Sequence, residues 1–224
     1  RLAFHGRAGG EDHLLDATPA HALEQAGDAQ LVGPDPRQRR QRAVQHVVAA
    51  LEVAGALDRL EQAGVDFDEL TDIIITHFHP DHTGALEEMR SRLNVPVMAH
   101  PAFAGKVIDR PLADGDTIPV GEHRLKVHHA PGHSPDQLCF AIEKDDCVIV
   151  GDAIFEGGPG KTWSPEDFQI TLDTLQRVIL AWQDDTRCFP GHGGSFRLGD
   201  IRTAIESFIS RDHCRFCGDA TWEM

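Results

Sequence analysis

Apolar positions recur along this chain with two different periods, and the change between them marks its elements. Between residues 43 and 63 the spacing is helical, at Val44, Val47, Val48, Leu51, Leu57 and Leu60, with Gly64 placed to stop the helix. Ile73-Ile74-Ile75 is a continuous apolar run, which predicts a buried strand ending at Thr76. A second helix is predicted to begin at Thr83, and a strand over 95–99 to end at His100. Asp114-Gly115-Asp116 reads as a turn, and residues 125–129 alternate as a strand does. Residues 138–142 and 147–150 predict a hairpin around Lys144-Asp145-Asp146. Ser164-Pro165-Glu166-Asp167 caps a helix running to about Trp182, with Leu172, Leu175, Val178 and Ile179 on its buried face. Cys188-Phe189 leads into His192, and a last helix covers about 199–211. Residues 1–42 are the least readable part, and no repeat at a solenoid period is present.

The chemistry concentrates where the isoleucine strand ends, in Thr76-His77-Phe78-His79-Pro80-Asp81-His82. A single histidine at a strand end is ordinarily a satisfied polar residue. Four side chains of ligand type within one short loop are harder to explain without an ion to pair them. His77 and His79 are two positions apart, so an extended backbone points both to one side. Pro80 halts the strand pattern, and the turn it starts aims Asp81 and His82 elsewhere. One loop therefore offers two ligand sets, as a two-metal centre requires.

The His-x-His-x-Asp-His sequence resembles the signature of the metallo-β-lactamase fold superfamily. Three further stretches resemble that family's later motifs in the same order. They are Ala130-Pro131-Gly132-His133-Ser134-Pro135, Val150-Gly151-Asp152 and Phe189-Pro190-Gly191-His192-Gly193. The resemblance implies an α/β fold, a four-layer αββα sandwich, with residues 1–224 forming one domain and 212–224 a C-terminal tail. It assigns His77, His79 and His133 to a first metal and Asp81, His82 and His192 to a second, with Asp152 bridging. Two divalent ions are implied, zinc by default and iron or manganese as alternatives, because the donor set holds nitrogen and oxygen but no cysteine. They would acidify a shared water for attack on a carbonyl, with Asp81 orienting the nucleophile and relaying a proton.

The stretch from Gly151 to Trp163 is similar to the corresponding segment of glyoxalase II-type thioester hydrolases, in which a basic residue holds the carboxylate-bearing thiol part of the substrate. Lys161 matches that residue, and a plain surface lysine is the competing reading. The implied function is hydrolysis of a thioester or related ester of a small molecule. Alternatives are a lactonase or β-lactamase-like hydrolase, a mononuclear iron persulfide dioxygenase, and a binding module on an inactive scaffold.

Totals narrow these choices. The chain has 224 residues, enough for one sizeable core. Its formal net charge of -15 argues against gripping a phosphate backbone, and hence against the family's nucleases and a nucleic-acid partner. No apolar run has the length of a membrane span. Five cysteines, an odd number at irregular spacing, argue against a disulfide framework and fit a reducing cytoplasm. Tyrosine is absent, which counts against the lactonase reading, since some lactone-opening relatives use a tyrosine hydroxyl. Arg1 in first position is compatible with loss of an upstream segment, a signal peptide included. Monomer and homodimer are equally compatible.

Several residues carry open readings. Asp16 faintly resembles a strand-end aspartate that ties loops beneath the metals, and is equally a capping or loop residue. The basic run 37–42 reads as a solvated loop or helix start. His100 is read as structural, His128 or His129 as a hydrogen-bond partner of a ligand, and Ser134 as a loop residue rather than a nucleophile. Cys214 and Cys217, behind His213, are read as part of an exposed or packed tail in preference to half a zinc knuckle.

Overall fold

The computed structural model describes residues 31–32, 45–48, 70–103, 108–121 and 123–224. The readings at Asp16, at 37–42 and over 49–63 lie outside these residues.

A first sheet has the order β1-β2-β3-β4-β5, built from Leu31–Val32, Gln45–Val48, Leu70–Ile74, Val97–Ala99 and Arg110–Pro111. β1 pairs antiparallel with β2, and the remaining pairs are parallel. A second sheet has the order β13-β12-β9-β8-β7-β6. Its strands are β6 (Thr117–Val120), β7 (His123–His129), β8 (Leu138–Ile142), β9 (Cys147–Gly151), β12 (Arg187–Pro190) and β13 (Phe196–Arg197). A small ribbon pairs β10 (Ile154–Phe155) with β11 (Gly158–Pro159). Among the described residues the α-helices are α1 (Pro80–Thr83), α2 (Leu86–Leu93), α3 (Pro165–Arg177) and α4 (Leu198–Ile209).

The layers follow from the two-residue period of the strands. Ile73 and Ile75 face one way and pack with Leu86 and Met89 of α2, whereas Ile74 faces the other way. Ile74 and Met98 meet Leu125, Val127, Phe140 and Ile149 of the second sheet, filling the space between sheets. On that second sheet Cys139, Val148, Val150 and Cys188 face outwards, against Phe168 and Leu175 of α3 and Ile205 and Phe208 of α4. The order is helix, sheet, sheet, helix, and the continuous apolar runs belong to strands covered on both faces.

Most elements stand where the apolar pattern predicts them. Lys144, in the turn of the β8–β9 hairpin, takes a positive φ of 67°. Ser164 caps α3, accepting a hydrogen bond from the Asp167 backbone N–H at 3.1 Å. α3 itself stops at Arg177, and a 3-10 turn over Ile179–Ala181 completes the segment expected to reach Trp182.

One expectation is corrected. The helix expected from residue 43 is replaced at Gln45–Val48 by β2, which lies parallel to β3 with Val47 beside Ile73 and Val48 beside Ile74. β-branched residues fit a pleated surface, and pairing with a strand distant in sequence overrides a local helical spacing.

Candidate metal centre

The residues singled out by the motifs leave the carboxyl ends of four strands. His77, His79, Asp81 and His82 follow β3, His133 follows β7, Asp152 follows β9, and His192 follows β12. β9 and β12 run parallel, so Asp152 and His192 emerge on the same edge. The Leu138 N–H donates to the Thr76 carbonyl at 2.8 Å, and the Gly191 N–H to the Gly151 carbonyl at 3.0 Å. These bonds pull the loops of both sheets together at that edge. Between the two strand-end histidines Phe78 packs into the cluster beneath α2, which leaves His77 and His79 facing the other side. Pro80 opens α1, and the Thr83 hydroxyl donates to the His79 carbonyl at 3.1 Å, closing the turn that carries Asp81 and His82.

All seven side chains converge. Ligand-type atoms of His77, His79 and His133 lie within 4.8 Å of one another, as do those of Asp81, His82 and His192. A third group, His77, His82 and Asp152, joins the two. His79 Nδ1 is 2.8 Å from His133 Nε2, and His192 Nε2 is 3.0 Å from Asp81 Oδ2. The Asp152 carboxylate sits between the sets. Its Oδ2 is 3.6 Å from both His133 Nε2 and His192 Nε2, and its Oδ1 is 3.3 Å from His82 Nε2.

The donors fit a cation. His77 Nε2, both nitrogens of His82 and Asp152 Oδ1 are buried without a hydrogen-bond partner. Such atoms are costly unless something pairs with them, and divalent cations at the centre would pair with His77 Nε2, Asp152 Oδ1 and the His82 nitrogen that faces them, Nε2. Protonation does not substitute for the ion. Burial, then the neighbouring His82, His133, His79 and His192, hold the His77 imidazole well below its ordinary value. Burial likewise lowers His133, against the opposing pull of Asp152. Burial pushes the Asp152 carboxyl up, but the adjoining His82, His133 and His192 outweigh it, and the balance lies below the usual carboxylate value. The centre thus keeps the His77 and His133 imidazoles neutral beside the Asp152 carboxylate, with lone pairs open to a metal. His133 is held in one tautomer by its Nδ1, which donates to the Lys161 carbonyl at 2.8 Å and leaves Nε2 for the centre.

Two predictions arise from this geometry. Histidines with depressed folded values bind fewer protons than in the unfolded chain, so stability rises with pH. The metal-free protein should be fully stabilised by these groups above the ordinary histidine value of 6.5 and lose that stability as pH falls below it. Urea unfolding on either side of that value measures the effect. The second concerns Gly191, where a methyl group would collide with Asp152 Oδ1 and the His82 ring. Gly191→Ala should cost about 1–3 kcal/mol in urea unfolding and reduce the metal recovered per chain by elemental analysis.

The other singled-out residues lie around this centre. Lys161 Nζ is 3.2 Å from Asp219 Oδ2 and 5.2 Å from the Trp163 ring. His100 and His129 stack at 4.2 Å, and His129 Nε2 bonds to the Pro135 carbonyl at 2.9 Å on the loop of His133. His128 packs against Trp182. The Ser134 hydroxyl donates to Asp136 and to no group of the cluster. Cys214 and Cys217 are exposed. Sequence reasoning overlooked Trp163, an exposed ring 6.0 Å from His79, and Phe155, 6.4 Å from His192. It also overlooked Asp219. Phe155 and Trp163 lie in the Gly151–Trp163 stretch, but that resemblance gave a role to Lys161 alone, and no motif flags Asp219.

Comparison with known proteins gives a consistent picture. The family model described as "Metallo-beta-lactamase superfamily" matches residues 32–192. A hydroxyacylglutathione hydrolase of Marinomonas sp. (strain MWYL1) is 39% identical over 137 residues, 61% of this chain and 51% of that protein. The chain spans only 51–60% of the length of the curated hydroxyacylglutathione hydrolases it first matches. Among solved structures, ETHE1 from Myxococcus xanthus superposes with a TM-score of 0.68 at 23% identity, covering 84% of this chain and 82% of that one. TTHA1623, solved in a di-iron-bound form, gives 0.60 at 25% identity, covering 70% of this chain and 86% of that one. Among the described residues no helix is long and apolar enough to cross a membrane.

Proposed function

The chain belongs to the metallo-β-lactamase superfamily, and on that premise we propose that it is a metal-dependent hydrolase cleaving a thioester or related ester of a small molecule. In this reading His77, His79 and His133 hold one cation, Asp81, His82 and His192 hold a second, and Asp152 serves both. The observation that carries it is the convergence of these groups with buried donor atoms left unpartnered. The hydroxyacylglutathione hydrolase relatives supply the thioester class.

Divalent cations bound there would supply Lewis-acid polarisation of the carbonyl and a water of near-neutral acidity. The remaining chemistry falls to the chain. Asp152 lies within 3.6 Å of His82, His133 and His192, where its negative charge offsets that of the cations. Asp81 is half-exposed, with Oδ2 turned towards His192, where it can accept a proton from the attacking water and return it to the departing sulfur. A C–O bond forms at the acyl carbon, the C–S bond breaks, and the products are an acid and a thiol. Lys161 offers its ammonium group to the thiol portion, in the pocket that His133 and Asp152 also line. Zinc suits hydrolysis by this donor set, and iron or manganese fits it too.

Purified protein assayed with lactoylglutathione and a panel of acyl thioesters should turn over at least one of them, and Asp81→Ala should not. Absence of turnover above that control, in protein shown to hold metal, defeats the thioester reading. Oxygen uptake with glutathione persulfide tests the dioxygenase alternative. The grouping of Asp81 with His82 and His192 favours the hydrolase, because one iron would leave those three side chains without a task.

A further inference from the structure

The pocket beside the candidate centre has a volume of about 410 Å³, and His133, Asp152, Lys161, Asp219 and Ala220 are among the residues that line it. Asp219 and Ala220 come from the segment expected to be a tail, and that segment is fastened on both sides of Asp219. On one side the Thr162 N–H donates to the Gly218 carbonyl at 3.1 Å, and the Gly218 N–H to the Thr162 hydroxyl at 3.3 Å. On the other, the Trp222 N–H donates to the Gly157 carbonyl at 3.2 Å and its indole N–H to the Glu156 carbonyl at 2.8 Å. Trp222 is buried edge-on to Phe208 of α4, at 5.5 Å. Ala220 approaches Gly158 so closely that any side chain there would strike its carbonyl. Asp219 projects from this anchored strap, and its carboxylate lies 3.2 Å from Lys161 Nζ.

We propose that Asp219 sets the charge selectivity of this pocket by serving as a built-in counter-ion for Lys161. A ligand entering from the centre meets an already paired ammonium group. One bearing a carboxylate on its thiol portion has to displace Asp219, whereas a neutral one does not. The strap makes this a fixed competitor, because neither end of the segment is free to carry the carboxylate away. The inference rests on the thioester reading only for the type of ligand.

The test is calorimetric titration of the zinc-loaded full chain with two non-hydrolysable thioethers, an S-alkyl N-acetylcysteine and its neutral methyl ester. Asp219→Asn should tighten binding of the carboxylate-bearing thioether about threefold, the scale of one exposed ion pair, and leave the ester unchanged. Adding Lys161→Met should abolish the gain, and added salt should shrink it. Equal changes for both thioethers, no change for either, or failure of the pair to bind would overturn the proposal. Discrimination of this kind in a protein that turns over no thioester would remove the hydrolase reading and leave the selectivity standing. Normal turnover with no discrimination would do the reverse. Asp219 is well exposed, so its substitution leaves the fold intact, which the unfolding curve of the variant verifies.

Discussion

Asp152→Asn should lower kcat/KM for an acyl thioester by about a thousandfold, or roughly 4 kcal/mol of transition-state stabilisation. The substitution keeps the shape of the side chain and removes its charge. Asp152 lies within 3.6 Å of His82, His133 and His192 together, so its loss acts on both halves of the centre. An amide oxygen is a poor ligand for two cations, and the amide nitrogen would face imidazole nitrogens meant for a metal. Elemental analysis of the variant should show less metal per chain. Asp173→Asn is the matching control, an exposed carboxylate on α3 paired with Arg177 and remote from the centre. Activity of Asp152→Asn within tenfold of the unsubstituted chain would be incompatible with a shared carboxylate between two ions.

Removal of the metal by chelation is expected to lower the unfolding free energy by about 4 kcal/mol, relative to protein holding the ion at about a thousand times its dissociation constant. The source is the set of buried atoms facing the centre that are left without partners, His77 Nε2, His82 Nε2 and Asp152 Oδ1. Each such atom costs about 1–3 kcal/mol while unpaired, and the His77 imidazole resists relief by protonation because burial holds it neutral. Urea unfolding with and without saturating zinc measures the difference. Superimposable curves would show that the cluster is satisfied without a cation. Restoration by zinc, iron and manganese in turn would rank the native candidates by the same readout.

Much of the architecture was legible because its signals are short in range. Ile73-Ile74-Ile75 announces a strand covered on both faces, and the structure divides it between the helix side and the inter-sheet side. Ser164 announces a helix start, since a hydroxyl accepting from a backbone N–H three residues on is a purely local arrangement. The misreading at Gln45–Val48 has the opposite cause. Its state is set by a partner some 25 residues later, at Ile73 and Ile74, which no window around Val47 contains. The C-terminal segment was illegible for the same reason. Trp222 is buried by Phe208 and by carbonyls of the 156–157 turn, so its anchoring, and with it the position of Asp219, depends on contacts far along the chain.

What the sequence determined by itself is the chemical inventory: which donors exist, that four of them share one loop, and that Pro80 turns the last two away from the first. Only the tertiary structure decided which donors meet. His133, Asp152 and His192 reach the loop because β7, β9 and β12 end at one edge of the packed sheets, and Asp219 reaches Lys161 because the strap is pinned at Trp222. The physical reason is one of range. Dihedral preferences and side-chain period act over a few residues, whereas the meeting of distant groups is fixed by the summed packing of many weak contacts between layers.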